Sequence, residues 1–292
     1  MNASAKRVAV TGACGNLGRK LVTQLIAADW CDEVVALDLT AYEGGGPKVT
    51  AVAANLADRT DQRWQDAIQG VDAIVHFAAQ RPYVDATWDD STTSIDMTLN
   101  LTGAAVEAGV GRFIFATSNH VMGGYKEDSD SMAPGSLTVD LSPRPGTQVR
   151  EPDGSLSLPY AYAVTKLTGE RICHERALGS HGKLTTVAVR IGWCQPGANR
   201  PETLNATGQP GVEGGGPQDA EAKRDLAWFR NMWLSNNDFA QVFECAIRAD
   251  AAGWPAPAII VNGMSKNTGM LWDIATTERL LGYRPVDDVA KG

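Results

Sequence analysis

The sequence of 292 residues contains no long apolar run. A membrane-crossing helix needs about 20 consecutive apolar residues, and no segment approaches that length. The opening MNASAKRVAVTG also lacks the apolar stretch of about 7–15 residues that marks a secretory leader. A cytoplasmic protein with reduced thiols and no membrane partner is therefore expected. Cysteine is scarce: Cys14, Cys31, Cys173, Cys194 and Cys245 stand apart, with no Cys-x-x-Cys spacing. That excludes a zinc ribbon and a thioredoxin-type motif. None of the four histidines forms His-Glu-x-x-His, so no metal is expected. Positive charge is in the minority, with 26 Lys plus Arg against 34 Asp plus Glu and a net charge of -8. Nucleic-acid binders carry a basic face, and nucleic acid is not expected as a partner.

What the chain does contain is the composition of a soluble globular protein. It is 43% hydrophobic and 21% charged, which excludes a largely disordered chain. Its length allows one large domain or two modest ones. Short β-rich runs alternate with helical patterns through the first half. Strands are expected at Arg7–Thr11, Glu33–Asp38, Lys48–Ala53, Ala73–Ala78, Arg112–Thr117 and Thr185–Ile191. Helices are expected at Leu17–Ala28, around Trp64–Gln69, at Ser94–Ala108 and at Tyr162–Leu178. After Asp238 a helix, a strand at Ala258–Val261 and a helix at Trp272–Leu281 follow. Near-continuous apolar strands alternating with helices imply a parallel sheet covered on both faces. Two stretches interrupt the pattern, Lys126–Pro159 and Gln195–Lys223. Loops of that length serve a substrate site or subunit contact, or are mobile decoration.

The first strand runs into Thr11-Gly12-Ala13-Cys14-Gly15-Asn16-Leu17-Gly18 and then a helix. Gly12 permits a tight turn, Gly15 lets the backbone approach a pyrophosphate, and Gly18 allows close helix–strand packing. A helix N-terminus offers N–H groups and partial positive charge to phosphates. Asp38 ends the second strand about twenty residues on. A carboxylate there accepts bonds from ribose hydroxyls and repels a 2′-phosphate, favouring NAD over NADP, unless it merely caps a turn. Asp58, after the third strand, can bond the adenine amino group or cap the next helix.

Tyr162 and Lys166 lie four apart and share one helical face. An ammonium beside a phenol favours the phenolate, and such a tyrosine can take a proton from an alcohol as hydride leaves carbon. Tyr160 has Val164 at the same spacing and lacks that partner. The fifth strand leads to Ser118-Asn119-His120. Ligands of doubly wound sheets sit outside the carboxyl ends of the strands, so Ser118 is placed to bond the substrate oxygen. Asn119 and His120 can reach substrate hydroxyls, and His120 can equally be a packed histidine.

Taken in order, Thr11-Gly12-x-x-Gly15-x-x-Gly18, Asp38, His76-Phe77-Ala78-Ala79, Ser118 and Tyr162-x-x-x-Lys166 resemble the extended short-chain dehydrogenase/reductase family, also called the NAD-dependent epimerase/dehydratase family. Leu281-Gly282-Tyr283-Arg284-Pro285 resembles its C-terminal signature. Phe115–His120, Val189–Gly192, Trp233–Phe239 and Asn262–Asp273 are similar to uronate dehydrogenases. The resemblance implies an α/β, Rossmann-like doubly wound parallel sheet with a small C-terminal substrate-binding portion. Residues 1–192 would bind NAD, with an insertion at 126–159. Residues 193–292, with an insertion at 195–223, would bind substrate and interleave with the last strands. It implies an NAD-dependent oxidoreductase that oxidises the anomeric C1 hydroxyl of a sugar or sugar acid to a lactone. Tyr162 would be the base, Lys166 its tuning cation and Ser118 the orienting hydroxyl. Gly12, Gly15, Asn16, Leu17, Gly18, Asp38, Leu56, Asp58, Phe77, Ala78, Ala79, Asn100, Tyr162, Lys166 and Ile191 would hold NAD. Gln80, Ser118, Asn119, His120, Tyr162, Trp193 and Arg230 would meet the substrate.

The chain departs from the uronate dehydrogenase pattern in its two long insertions and in Trp193, where those enzymes carry a small serine. Trp193 would stack on a sugar ring or shrink the pocket. Their carboxylate-binding arginine has three candidates here, Arg200, Arg224 and Arg230, with Arg230 preferred. A nucleotide-sugar epimerase of the same family is the alternative function, and a non-catalytic NAD sensor a lesser one. Family members pair through helices equivalent to Ser94–Ala108 and Tyr162–Leu178, so a homodimer or higher homo-oligomer is expected.

Overall fold

A computed structural model describes residues 7–80, 87–150, 156–208 and 219–291. Its main sheet is built from β1 (Arg7–Thr11), β2 (Glu33–Asp38), β3 (Val49–Ala53), β4 (Ala73–His76), β5 (Arg112–Ser118), β8 (Thr185–Ile191) and β9 (Ala258–Gly263). Every pairing is parallel, in the order β3-β2-β1-β4-β5-β8-β9. The short strands β6 (Val149–Arg150) and β7 (Leu156–Ser157) form a separate antiparallel ribbon inside the first insertion.

Side chains alternate across a strand, so each strand feeds two cores. Val8 and Val10 of β1, Val34 and Ala36 of β2, and Val187 and Val189 of β8 face one side. There they meet Leu21, Val22 and Leu25 of α1 (Asn16–Ala27) and Phe239, Val242 and Phe243 of α6 (Asn236–Arg248). Ala9, Val35, Leu37, Phe113 and Phe115 face the other side. They meet Trp64 of α2 (Gln62–Ala67), Leu101 and Ala105 of α3 (Trp88–Glu107) and Cys173 of α4 (Tyr160–Gly179). The sheet is thus doubly wound, as expected.

A third core is built from segments that follow β5, β8 and β9. Val121 and Met122, Trp228 and Met232 of α5 (Ala220–Asn231), and Leu271 and Trp272 are packed together there. Trp272 precedes α7 (Ala275–Leu281).

Several element bounds differ from expectation for local reasons. The third helix starts at Trp88 rather than Ser94, because Thr87 and Asp90 form a reciprocal capping box. The last helix starts at Ala275 rather than Trp272, because Asp273 accepts from the Ala275 N–H. The fourth strand stops at His76, two residues early. Neither insertion lacks structure throughout. A 3-10 stretch spans Asn119–Ser131, and α5 begins inside the second insertion. Residues 151–155 and 209–218 of the insertions lie outside the described residues.

Candidate active site

The strand order reverses direction at β1, whose neighbours β2 and β4 are reached by opposite crossovers. That reversal opens a crevice at the carboxyl ends of the strands. Gly12 sits there at φ +67°, and a Cβ on it would come within 2.8 Å of the Ala78 nitrogen. A Cβ on Gly18 would come within 2.1 Å of the Gly12 oxygen, so α1 leaves the turn with no room for a side chain. No side chain caps α1 among the described residues, which leaves its first-turn N–H groups for an anion. Gly15 is exposed at its N-cap. These residues fit a dinucleotide diphosphate.

Around the turn, Asp38 Oδ2 accepts from the Cys14 N–H at 2.8 Å and Oδ1 from the Leu39 N–H at 2.7 Å. The carboxylate braces the turn and keeps lone pairs for ribose hydroxyls. Asn100 Nδ2 donates to the carbonyls of Leu56 and Ala57, and Leu56 itself is buried. Asp58 does not cap the next helix; Asp61 does, accepting from Arg63 N. Asp58 Oδ1 instead closes a turn with the Thr60 N–H and hydroxyl. Phe77 packs its half-buried ring on Phe239 and Phe243. Ala78 N donates to Thr11 Oγ1, with Ala79 beside it. Leu17 packs against the α1 core, and Asn16 Nδ2 donates to the Cys194 carbonyl.

His76 is fully buried between Thr11 Oγ1 at Nδ1 (2.7 Å) and Thr98 Oγ1 at Nε2 (3.2 Å). The Thr98 hydroxyl already donates to Ser94 O, so Nε2 carries the proton and Nδ1 accepts. Burial, with Lys166 nearby, pushes the imidazole down to about 3, so it is neutral.

The reacting groups lie along β5 and α4. Ser118 ends β5, with its hydroxyl beside the Tyr162 phenol. Its Oγ also accepts from His120 N at 3.2 Å. The His120 ring stands edge-on to Tyr162, with centroids 5.6 Å apart. Burial pushes its imidazole down to about 4, and its buried Nδ1 has no partner among the described residues. Lys166 Nζ donates to Ala116 O at 2.7 Å and lies 5.8 Å from the centre of the Tyr162 ring. Burial lowers this ammonium to about 8. Burial also pushes the Tyr162 phenol up to about 12, and the Ser118 hydroxyl beside it pulls it partly back. The lowering expected from Lys166 does not set this pKa: desolvation of a phenolate is the largest effect, and Ser118 is what acts against it. Asn119 Nδ2 donates to Ile191 O, joining β5 to β8. Gln80 N donates to Ser94 Oγ, while its buried Oε1 has no partner among the described residues.

The expected substrate end is less open. Trp193 is half-buried and edge-on to Phe229 at 5.3 Å. Arg230 donates from Nη1 to Pro201 O and from Nη2 to Val289 O, so its fork grips backbone carbonyls. Arg224 donates from Nη2 to Glu127 at 2.7 Å, and Arg200 is exposed. Sequence reasoning singled out neither the Asp61 cap nor a buried pair between Glu170 and Arg190. The signal for the second was present: Arg190 is the one charge in the apolar strand TTVAVRI.

The profile of the NAD dependent epimerase/dehydratase family matches residues 8–192. The chain belongs to this family. It is 30% identical over 285 residues to the L-arabinose 1-dehydrogenase (NAD(P)(+)) of Haloferax volcanii, covering 97% of this chain and 98% of the relative. It is 31% identical over 291 residues to an NAD-dependent glucose-6-phosphate dehydrogenase of the same organism, covering 97% and 94%. The crystal structure of uronate dehydrogenase from Agrobacterium tumefaciens superposes with a TM-score of 0.69 at 26% identity, covering 98% of this chain and 86% of that one. The family member described here is an NAD-dependent oxidoreductase. Among its described residues no helix is long and apolar enough to cross a membrane.

Proposed function

We propose that this protein is a cytoplasmic NAD-dependent sugar 1-dehydrogenase, which oxidises the anomeric hydroxyl of an aldose or sugar acid to the lactone. The observation that carries the reading is the convergence of Ser118, at the end of β5, with Tyr162 and Lys166, one turn apart on α4. Bound NAD supplies the hydride acceptor. Tyr162 takes the proton of the C1 hydroxyl as the hydride leaves C1. Ser118 holds the same oxygen as its charge changes. Lys166 fixes the phenol's side of α4 through Ala116 O and contributes positive charge. Burial disfavours the Tyr162 phenolate, and the positive charge of an oxidised nicotinamide, once bound, would favour it. His120 and Asn119 flank the substrate oxygens.

The test is NADH appearance with a panel of neutral aldoses, sugar phosphates and uronates. Tyr162→Phe should leave NAD binding intact and lower kcat by about a thousandfold, within the usual range for a single general base. Near-normal turnover in that variant sinks the assignment. Arg230 spends both Nη groups on Pro201 O and Val289 O, which argues against its gripping a substrate carboxylate; turnover confined to uronates and lost in Arg230→Ala would restore that role.

We also propose that the chain pairs through α3 and α4. Trp88, Leu99, Tyr160 and Leu178 are exposed on these two helices, with the Trp88 and Tyr160 rings edge-on. Exposed apolar side chains grouped on adjoining helices suit a subunit contact. Light scattering should give the dimer mass or a multiple, and a monomer refutes the pairing.

A further inference from the structure

Glu170 and Arg190 take no part in the chemistry above, yet both are almost completely buried. Glu170 lies on α4 one turn beyond Lys166, and Arg190 lies on β8 just before Ile191. Arg190 Nε donates to Glu170 Oε1 and Nη2 to Oε2, each at 2.9 Å. Glu170 Oε1 also accepts from the Thr117 hydroxyl at 2.9 Å, and Thr117 immediately precedes Ser118. One carboxylate thus ties together the helix bearing Tyr162 and Lys166, the strand bearing Ser118 and the strand next to it.

Stability does not explain this arrangement. A buried ion pair is often replaceable by apolar residues of similar volume at no cost in stability. The third guanidinium nitrogen, Nη1, is buried with no partner among the described residues, which adds a further penalty. Apolar packing already sets how close α4 lies to the sheet: a Cβ on Gly169 would come within 2.3 Å of the Phe115 ring. Such packing is non-directional and does not fix rotation of the helix about its axis. A planar two-pronged bond is directional and does.

We infer that Glu170, held by Arg190 and Thr117, is a positioning residue for the oxidation: it sets the rotation of α4 so that the Tyr162 phenol and the Ser118 hydroxyl meet one substrate oxygen. This rests on the reaction assigned above. Glu170 does not touch the substrate. It acts through Thr117 on Ser118, and through α4 on Tyr162 and Lys166. Misplacement of a reacting group by 1 Å can cost about a hundredfold in rate.

The experiment replaces both charges together, as Glu170→Met with Arg190→Met, which keeps the volume and leaves no orphaned ion. The expected protein melts close to wild type and binds NAD normally. Its kcat falls about a hundredfold, while KM for NAD and for sugar changes by less than about threefold. A kcat within about threefold of wild type overturns the inference, and so does a loss carried by KM alone. Thr117→Val decides the matter if the double variant does not fold. It preserves shape and removes only the hydroxyl beside Ser118, and should lower kcat by about tenfold with KM unchanged; an unchanged kcat overturns the inference. Tyr162→Phe is measured alongside. Normal turnover there removes the catalytic reading itself. An inactive Tyr162→Phe beside a fully active double variant removes only the role of Glu170.

Discussion

The sheet and the lobe around the third core are held together by different means. From β1 to β5 the sheet is a run of alternating apolar side chains, packed against the neighbouring helices α1 to α4 and, on one face, also against the distant α6. The lobe is assembled by side chains far apart in sequence. Lys126 bonds Asp225 across 99 positions, Glu127 meets Arg224 across 97, and Asn262 reaches the Leu137 carbonyl across 125. Its aromatic centre pairs Trp228 with Trp272 at 5.6 Å. A periodic pattern builds a rigid nucleotide platform from local information. A pocket that must suit one substrate is built from pairings that no short window of sequence contains.

The strongest way to break this contrast is to remove one lobe pairing. Lys126 and Asp225 are each about 1% exposed, with Nζ 2.6 Å from Oδ1. Asp225→Ala strands a buried ammonium, and breaking such a pair costs about 3–5 kcal/mol. Thermal melting should show that loss, with turnover abolished. NAD affinity should stay within about twofold, since the Gly12–Gly18 turn shares no contact with the pair. Loss of NAD binding in step with the lobe would mean that the two regions form one cooperative unit.

The reverse experiment is Gly18→Ala. Its Cβ would stand 2.1 Å from the Gly12 oxygen, so the turn and the start of α1 must separate. NAD affinity should fall about a hundredfold, roughly 2.7 kcal/mol, as read by calorimetry. Near-ultraviolet circular dichroism, to which Trp228 and Trp272 contribute with six other tryptophans, should be largely kept.

Acid separates the regions more gently. His76 is fully buried in the sheet region and held neutral, with its pKa lowered to about 3 by burial. The folded value lies below the unfolded value near 6.5, so protonation favours unfolding. The stability is fully present above pH 6.5 and is lost as pH falls from there towards 3, at about 1.4 kcal/mol per pH unit. His76→Asn should flatten that dependence in melts between pH 6.5 and 4. An unchanged slope would place the acid-labile group elsewhere.

How far each region could be read from sequence follows the same contrast. The bounds of β1, β2 and β8 match expectation, because buried parallel strands are apolar throughout. The Gly12–Gly18 turn was legible since its geometry admits no side chains, and Tyr162 and Lys166 since one helical turn joins them. α5 was not. Its sequence, AEAKRDLAWFRN, has only Leu226, Trp228 and Phe229 as large apolar residues, and what orders it is Trp272 and Lys126 in distant segments. Arg230 illustrates the limit for a single residue. Its charge suggested a carboxylate, while its neighbours in space are two backbone carbonyls that only the fold brings near. The direction of the Tyr162 shift was hidden for the same reason: desolvation depends on what covers the ring.

The smallest effect tests the edge of the nucleotide platform. Asp58 is exposed, and its Oδ1 accepts from both the nitrogen and the hydroxyl of Thr60. These bonds hold its carboxyl below the usual carboxylate range, so it is ionised throughout the working pH range. Capping of α2 belongs to Asp61, so Asp58 is not needed to start that helix. Asn100 meanwhile anchors the carbonyls of Leu56 and Ala57 from beneath, which keeps the loop in place without it. Asp58→Ala should therefore leave the melting temperature unchanged. NAD affinity should weaken by about three- to tenfold, the worth of one net hydrogen bond to the adenine amino group. An unchanged affinity would assign Asp58 to the Thr60 turn alone and leave adenine recognition to the Leu56–Ala57 backbone that Asn100 holds.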